Sequence, residues 1–385
     1  MRVLAAFDKF RDSISASEAC GIAARAIGTA RGEVDLCPLS DGGEGFTEIL
    51  TRAGGGTTDN ISVSGPRGGE VVAAIGCVSL NSIPPGARAL LNAAVQGIRG
   101  PVAVMDMAAA SGLALLPAAM RDPLRATSAG TGQLIRAAAG TGVGSILLGV
   151  GGSATSDMGL GALGALGIGY LTASGEGLGA PVPADWHRLR GFSGKITPMP
   201  PIVIACDVDN PLLGPRGAVA VYGPQKGLRQ GDAAKLEAES ARISALMCAH
   251  FGRPASVADL PGAGAAGGIT FGLMVAAGAV LAPGFDLVAA WLDLDRRIAA
   301  ADIILTGEGR FDDSSLSGKG PGSVVRRALA LGKTVHVFAG SVSLSRDVPG
   351  LSPHSITPRD VPLERALAEA PDRLLDSVRR VFACL

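Results

Sequence analysis

Histidine is nearly missing from this chain. Four are present among 385 residues, isolated at His187, His250, His336 and His354. That scarcity argues against a zinc enzyme or a histidine-based hydrolase. Cys20, Cys37, Cys77, Cys206, Cys248 and Cys384 show no CxxC spacing, so they read as thiols of a reducing compartment rather than a disulfide frame or zinc site. An excess of either charge is also missing: 34 Lys and Arg balance 34 Asp and Glu, leaving no basic footprint for nucleic acid. No long apolar run escapes interruption by glycine or polar residues, so no membrane span is expected. A strand-like run starts at Val3, leaving no room for a signal peptide, and the chain is expected to be cytoplasmic. The GxxxxGK[ST] phosphate loop and the protein-kinase catalytic set are both absent.

What is present points to an α/β enzyme. Hydrophobic residues make up 47% of the chain, charged residues only 18%, and glycines number 56. This composition suits buried parallel strands joined by many glycine-bearing turns. The length calls for two domains. The stretch Ile146–Gly159 shows the pattern most plainly. An aliphatic run ends in Gly149, Gly151 and Gly152, followed by Ser153, Thr155, Ser156 and Asp157, and then by a small-residue helix from Leu160. A strand, a loop of bare amides and a helix start can cradle an anion, and Asp157 could hold a divalent metal. An empty tight turn explains the same residues about equally well.

The pattern recurs along the chain. Val3–Phe7 reads as a central parallel strand followed by Asp8-Lys9-Phe10-Arg11-Asp12, and Ser15 with Glu18 forms a capping-box signal for a helix to about Thr29. Val34–Cys37 runs into Asp41-Gly-Gly-Glu-Gly45 before a helix over Phe46–Arg52. Alternation over Ile61–Val63 and Val71–Ile75 predicts a hairpin. Val102–Ala108 precedes Ser111, and Thr131 lies in a hydroxyl and glycine loop before a helix over Gln133–Ala139. Ile202–Cys206 ends at Asp207, Lys226 sits in Gly223–Gly227, and Leu236–His250 has helical periodicity. Pro261–Gly268 reads as a loop and Ile269–Ala282 as a buried helix. Asp302–Leu305 reads as a strand running into a loop over Thr306–Asp312, with Lys319 beyond it. Ser323–Leu331 should be helical, Thr334–Ala339 a last parallel strand, and Leu363–Phe382 one amphipathic helix. Residues 1–60 with 283–385 are therefore expected to form one α/β domain, into which 61–282 is inserted.

Acids after strand ends at Asp8, Asp41, Asp207 and Glu308, together with lone cations Lys9, Arg11, Lys226, Arg310 and Lys319, are the parts that phosphoryl transfer needs. Carboxylates can hold Mg²⁺ or accept a hydroxyl proton, and cations offset charge on the transferred group. Two rivals remain at this point. Gly149–Ala154 also fits the G-x-G-x-x-[GA] dinucleotide pattern, with Glu176 near the place of a ribose-binding acid, which would make an NAD-type dehydrogenase. The other rival is a non-catalytic sensor of a phosphorylated metabolite, although a sensor has little use for several acids around an anion.

Taken together and in order, these motifs resemble the bacterial two-domain glycerate kinases. The resemblance rests on Asp8–Ala16, Asp41–Gly45, Ala110–Leu113, Gly130–Gly132, Gly151–Thr155, Cys206–Val208, Asn210–Leu212, Gly223–Gly227, Pro261–Gly268, Thr306–Arg310, Asp312 and Gly318-Lys319. It implies a flavodoxin-like doubly wound parallel-sheet domain with a second, inserted α/β domain and an active site in the cleft between them. It also implies ATP, Mg²⁺ and D-glycerate, with 2-phosphoglycerate as product and the 3-hydroxyl as the alternative acceptor. A homo-oligomer is left open. Arg11 stands where the family usually has Lys, Ser156 where Asn is common, Met158 for Gly, Asp106 for Glu and Asp209 for Thr. Within this reading Asp207, Asp157, Asp8, Arg11, Lys226 and Lys319 are the catalytic candidates. Arg11, Asp41, Ser111 and Thr131 are the substrate candidates. Gly151, Gly152, Ser153, Thr155, Gly307, Glu308, Gly309 and Asp312 are expected at the nucleotide, and Asp157, Asp207 and Glu308 at the metal.

Overall fold

Short aliphatic runs bounded by glycine and acids form the sheets, as their burial demands. The structure, a computed structural model, describes residues 1–28, 32–318, 320–358 and 360–383. The chain divides into two compact units, residues 1–41 with 288–385, and residues 42–287. It opens with β1 (Arg2–Phe7), α1 (Ala16–Ile27) and β2 (Glu33–Leu36). The second unit then runs through α2 (Phe46–Ala53), β3 (Thr57–Ser64), β4 (Glu70–Val78), α3 (Pro85–Ala94), β5 (Val102–Asp106), α4 (Ala108–Ser111), α5 (Ala129–Ala139), β6 (Ser145–Gly149) and α6 (Leu160–Ala165). It continues with β7 (Ile168–Leu171), β8 (Gly177–Leu178), β9 (Gly191–Gly194), β10 (Ile202–Cys206), α7 (Ala218–Tyr222), α8 (Gln230–Phe251), α9 (Ala265–Ala277) and β11 (Val280–Pro283). After α10 (Gly284–Trp291) the chain completes the first unit with α11 (Leu294–Ala300), β12 (Ile303–Asp312), α12 (Asp313–Ser317), α13 (Pro321–Ala330), β13 (Thr334–Ser343), β14 (Leu351–Ser355), α14 (Leu363–Ala368) and α15 (Ala370–Ala383).

The first unit is a parallel sheet in the order β14-β13-β12-β1-β2. Counted within the unit this is the 2-1-3-4-5 order of flavodoxin-like folds, whose ligands collect outside the carboxyl ends of the strands. Val3–Phe7 are wholly buried in β1, and Phe7, Phe10 and Phe338 join α1 and α15 in one core. Ser15 caps α1 through the expected box with Glu18. The helix ends at Ile27, and the expected end at Thr29 lies outside the described residues.

The second unit has a six-stranded sheet, β11-β10-β6-β5-β4-β3, parallel except that β4 runs antiparallel to β3, its expected hairpin partner, and to β5, and a small antiparallel sheet, β8-β7-β9. Its core gathers Ile146, Leu148, Ile202 and Ile204 with the inner faces of α5, α6, α8 and α9.

Several expectations change. Residues 42–60 and 283–287 group with the second unit, because α2 buries Ile49 and Leu50 and Thr47 bonds Asp106 at the end of β5. The stretch Thr306–Asp312 is strand rather than loop, since β13 continues alongside and pairs it from Thr306↔Val337 to Asp312↔Ser343. The buried helix ends at Ala277 on left-handed Gly278, and Val280–Pro283 is strand β11. Strand β13 is not the last, since β14 flanks it. The closing helix is two helices, because Pro371 has no N–H for the carbonyl of Leu367. That carbonyl accepts instead from Ser13 Oγ at 2.6 Å.

Candidate functional site

In the first unit, acids gather at the carboxyl edge of the sheet. Asp8 follows β1 directly and is 8% exposed. Burial raises its carboxyl to about 7, and the negative charges of Asp41 and Glu308 add to that rise. Lys9 and its backbone N–H act in the opposite direction. Lys9 Nζ donates to Asp41 Oδ1 at 2.8 Å, which fixes the loop after β2 against the end of β1. Gly320, at the start of α13, faces Asp8 so closely that a Cβ there would lie 3.4 Å from Oδ2. Burial raises the Glu308 carboxyl too, opposed by a hydrogen bond from Ser315 and reinforced by Asp312 and Asp41. Arg11 is exposed.

Gly307 and Gly309 lie within β12 for different reasons. A Cβ on Gly307 would come 1.8 Å from the Phe338 carbonyl, whereas one on Gly309 would meet nothing nearer than Arg11 N at 3.6 Å. Asp312 caps α12, accepting from Ser314 N and Ser315 N and pairing with exposed Arg310 at 3.0 Å. Helix capping therefore explains its carboxylate without a nucleotide.

In the second unit, the Gly149–Gly159 loop differs from an open phosphate cradle. Asp157 is 0% exposed. Its Oδ2 accepts from Ser128 N and Oγ, both at 2.8 Å, and from Gly161 N at 3.1 Å, while Oδ1 accepts from Gly159 N. The group that occupies the amides at the start of α6 is thus the protein's own Asp157 side chain. Burial raises its pKa while these four donors lower it. Gly151 N donates to the Gly42 carbonyl at 3.0 Å, and a Cβ on Gly149 or Gly151 would strike Gly42 or Gly43. Those two glycines are required by backbone packing. Gly152 is exposed with φ +71°.

Lys226 is buried in the same place. Its Nζ donates to Ser153 Oγ at 2.9 Å and to the Thr155 carbonyl at 2.6 Å. Desolvation lowers its pKa to about 7, against the pull of Asp157. The Thr155 and Ser156 hydroxyls are buried beside it without a partner among the described residues. Ser111 and Thr131 are wholly buried and bond each other at 2.9 Å, so both serve the packing of α4 on α5. Asp207, half-buried after β10, accepts from Phe285 N in the first turn of α10. Lys319 lies outside the described residues.

The profile of the glycerate kinase family matches residues 3–385. The chain belongs to the glycerate kinase family. It is 36% identical to the glycerate kinase of Bacillus subtilis (strain 168), covering 100% of this chain and 98% of that one. It is also 36% identical to the glycerate 2-kinase of Escherichia coli (strain K12), covering 92% and 89%. The crystal structure of a glycerate kinase 2 candidate from Salmonella typhimurium LT2 aligns with a TM-score of 0.73 at 35% identity, over 100% of this chain and 98% of that one.

As a member of the glycerate kinase family the chain is a kinase, for which ATP is the expected donor, and the dehydrogenase and sensor readings fall away. The geometry agrees, because the backbone that a pyrophosphate would approach at Gly149–Gly151 is covered by Gly42 and Gly43. No helix among the described residues is long and apolar enough to cross a membrane.

The metal candidates separate. Asp157 does not fit a metal, since it is wholly buried and both of its oxygens accept from protein donors. Glu308 does fit, lying where neighbouring carboxylates leave an excess of negative charge. No three candidate ligands cluster among the described residues, a pattern compatible with Mg²⁺, which needs only one or two carboxylates plus water and phosphate oxygens. The sequence reading missed Ser128 as the partner of Asp157. Its position just before a helix was a visible capping signal, but the carboxylate it serves comes 29 residues later.

Proposed function

We propose that this enzyme transfers the γ-phosphoryl group of ATP to the 2-hydroxyl of D-glycerate, giving 2-phosphoglycerate and ADP. The observation that carries the mechanism is Asp8, buried at the carboxyl end of β1 with its carboxyl at about 7. Such a group takes up a hydroxyl proton near neutral pH. The glycerate 2-oxygen bonds to the γ-phosphorus, the bond to the β–γ bridging oxygen breaks, and the hydroxyl proton passes to Asp8. Arg11, exposed and making no ion pair with the described residues, supplies positive charge for the anionic reactants. Glu308 and Asp41 would hold Mg²⁺, which neutralises phosphate charge when bound. Lys226 acts as a positioning residue, tying Ser153 to Thr155. The E. coli relative named glycerate 2-kinase supports the 2-hydroxyl as acceptor.

The test is phosphorus NMR of the product from ATP, Mg²⁺ and D-glycerate. A 2-phosphoglycerate signal is expected, and a 3-phosphoglycerate signal would refute the acceptor. Asp8→Asn should lower kcat by about 10²–10⁴-fold with unchanged circular dichroism. A wild-type kcat in that variant would remove Asp8 from the chemistry.

A further inference from the structure

The first unit holds a cavity of about 940 Å³ lined by the turn after β1, the later parts of β12 and β13, the segment after β14, and α14 and α15. It is far larger than a three-carbon acid needs and lies within the size range of pockets that enclose drug-sized molecules. Its wall is apolar where Phe10, Ile356 and Leu367 line it, the first two almost wholly buried. Its polar lining includes Arg11, Arg380 and Ser341, with Arg373, which is paired to Glu369, and the acid Asp376 further along α15. An apolar surface for a flat ring and cations for phosphate are the two requirements of a nucleotide.

Gly309 supplies the decisive detail. It lines the cavity, its φ is ordinary, and a Cβ there would find ordinary contact distances. Neither backbone strain nor packing requires glycine at this position. Bare backbone there leaves room for a ligand to approach, one residue from Glu308 in the acid cluster. The cavity is also preformed. Phe10 and Ile14 exchange backbone hydrogen bonds at 2.8 and 3.0 Å, and Ser13 Oγ ties the turn to α14. Binding a ligand therefore requires little ordering of the wall.

We propose that this cavity binds the nucleoside part of ATP, its phosphates leaving past Arg11 and Gly309 toward Glu308. This rests on the kinase reading above, and it adds the donor's place in the first unit. The test uses the full chain and does not depend on turnover. ADP binding is followed by titration calorimetry, and 8-azido-ATP is photo-crosslinked and mapped by mass spectrometry. Crosslinks are expected in the peptides of 10–14, 340–342 and 355–370. Gly309→Ala should keep the wild-type Tm, while weakening ADP at least tenfold. Arg380→Ala, at an exposed position, should weaken it about threefold. Crosslinks confined to 42–287, or wild-type ADP affinity in both variants, would overturn the proposal even if glycerate is still phosphorylated. Failure of the kinase reading would show differently, as ADP bound in this cavity with no phosphorylated glycerate formed.

Discussion

Replacing Lys226 by methionine should erase a specific pH dependence of stability in the second unit. Lys226 is 2% exposed and its pKa is lowered from 10.5 to about 7. Between those values the unfolded chain holds a proton that the folded chain has released, so stability rises with pH. At 1.36 kcal/mol per unit, the full shift is worth on the order of 5 kcal/mol. From pH 7.5 to 9.0 the folded lysine is already mostly neutral, and the gain is about 2 kcal/mol. Trp186 is buried in the second unit and Trp291 in the first, so a Trp291→Phe background lets Trp186 report alone. Urea unfolding with and without Lys226→Met, at both pH values, gives a double difference. Cys20 and Cys37, both raised to about 12 by burial, lose stability over the same interval but belong to both proteins and cancel. At pH 7.5 the methionine removes the cost of deprotonating the amine on folding but leaves Ser153 and the Thr155 carbonyl without their donor, at about 1–3 kcal/mol each. The absolute change is therefore small and the slope is the diagnostic. Parallel pH profiles would refute a buried, proton-losing Lys226.

Three further outcomes follow from the same geometry. His336 Nδ1 and His354 Nε2 are 3.0 Å apart, and burial lowers both pKa values, that of His354 to about 4. The unfolded chain binds more protons below about pH 6.5, so the first unit should lose stability between pH 6.5 and 4. His354→Gln should flatten that loss by about 1–2 kcal/mol, discounted for a half-exposed ring, as read from Trp291 fluorescence. Gly149→Ala would place Cβ 2.4 Å from the Gly42 carbonyl and should cost several kcal/mol, roughly 3 or more. Gly231→Ala, in α8 with nothing within 4 Å, should stabilise by about 0.5–1 kcal/mol. The contrast is measured by thermal melts. Ser128→Ala removes one of the two Ser128 donors to buried Asp157, the hydroxyl, while the backbone N–H stays. It should cost about 1.5–3 kcal/mol in urea unfolding, and an unchanged midpoint would mean that Asp157 is protonated and needs no such donor.

The strands were legible because a buried parallel strand is a short aliphatic run, and Val3–Phe7, Ile146–Leu148 and Ile202–Ala205 are little else. Caps written within a few residues, such as Ser15 with Glu18, were legible for the same reason. Features set by distant partners were not. Thr306–Asp312 carries two glycines and three charges, and only the length of β13 makes it strand. The break before α15 could be read from Pro371, but not that Ser13 would take the spare carbonyl. In the candidate site, acids at strand ends were the informative signal, with Asp8, Asp41 and Glu308 within electrostatic reach of one another. Hydroxyls near glycines were less informative, because Ser111 and Thr131 satisfy each other in the core.

The glycines show why one motif can carry two meanings. A strand, a glycine loop and a helix start leave bare amides, and either a ligand or the protein itself can occupy them. At α6 the occupant is Asp157, and the neighbouring glycines are fixed by contact with Gly42 and Gly43. Substituting them tests folding, not binding. Gly309 is the reverse case, since its side-chain volume is open and its backbone conformation ordinary. Substitution there tests binding with folding held constant. The distance a hypothetical Cβ would have to its nearest neighbour thus separates glycines kept for packing from those kept for a ligand, a distinction that sequence spacing does not contain.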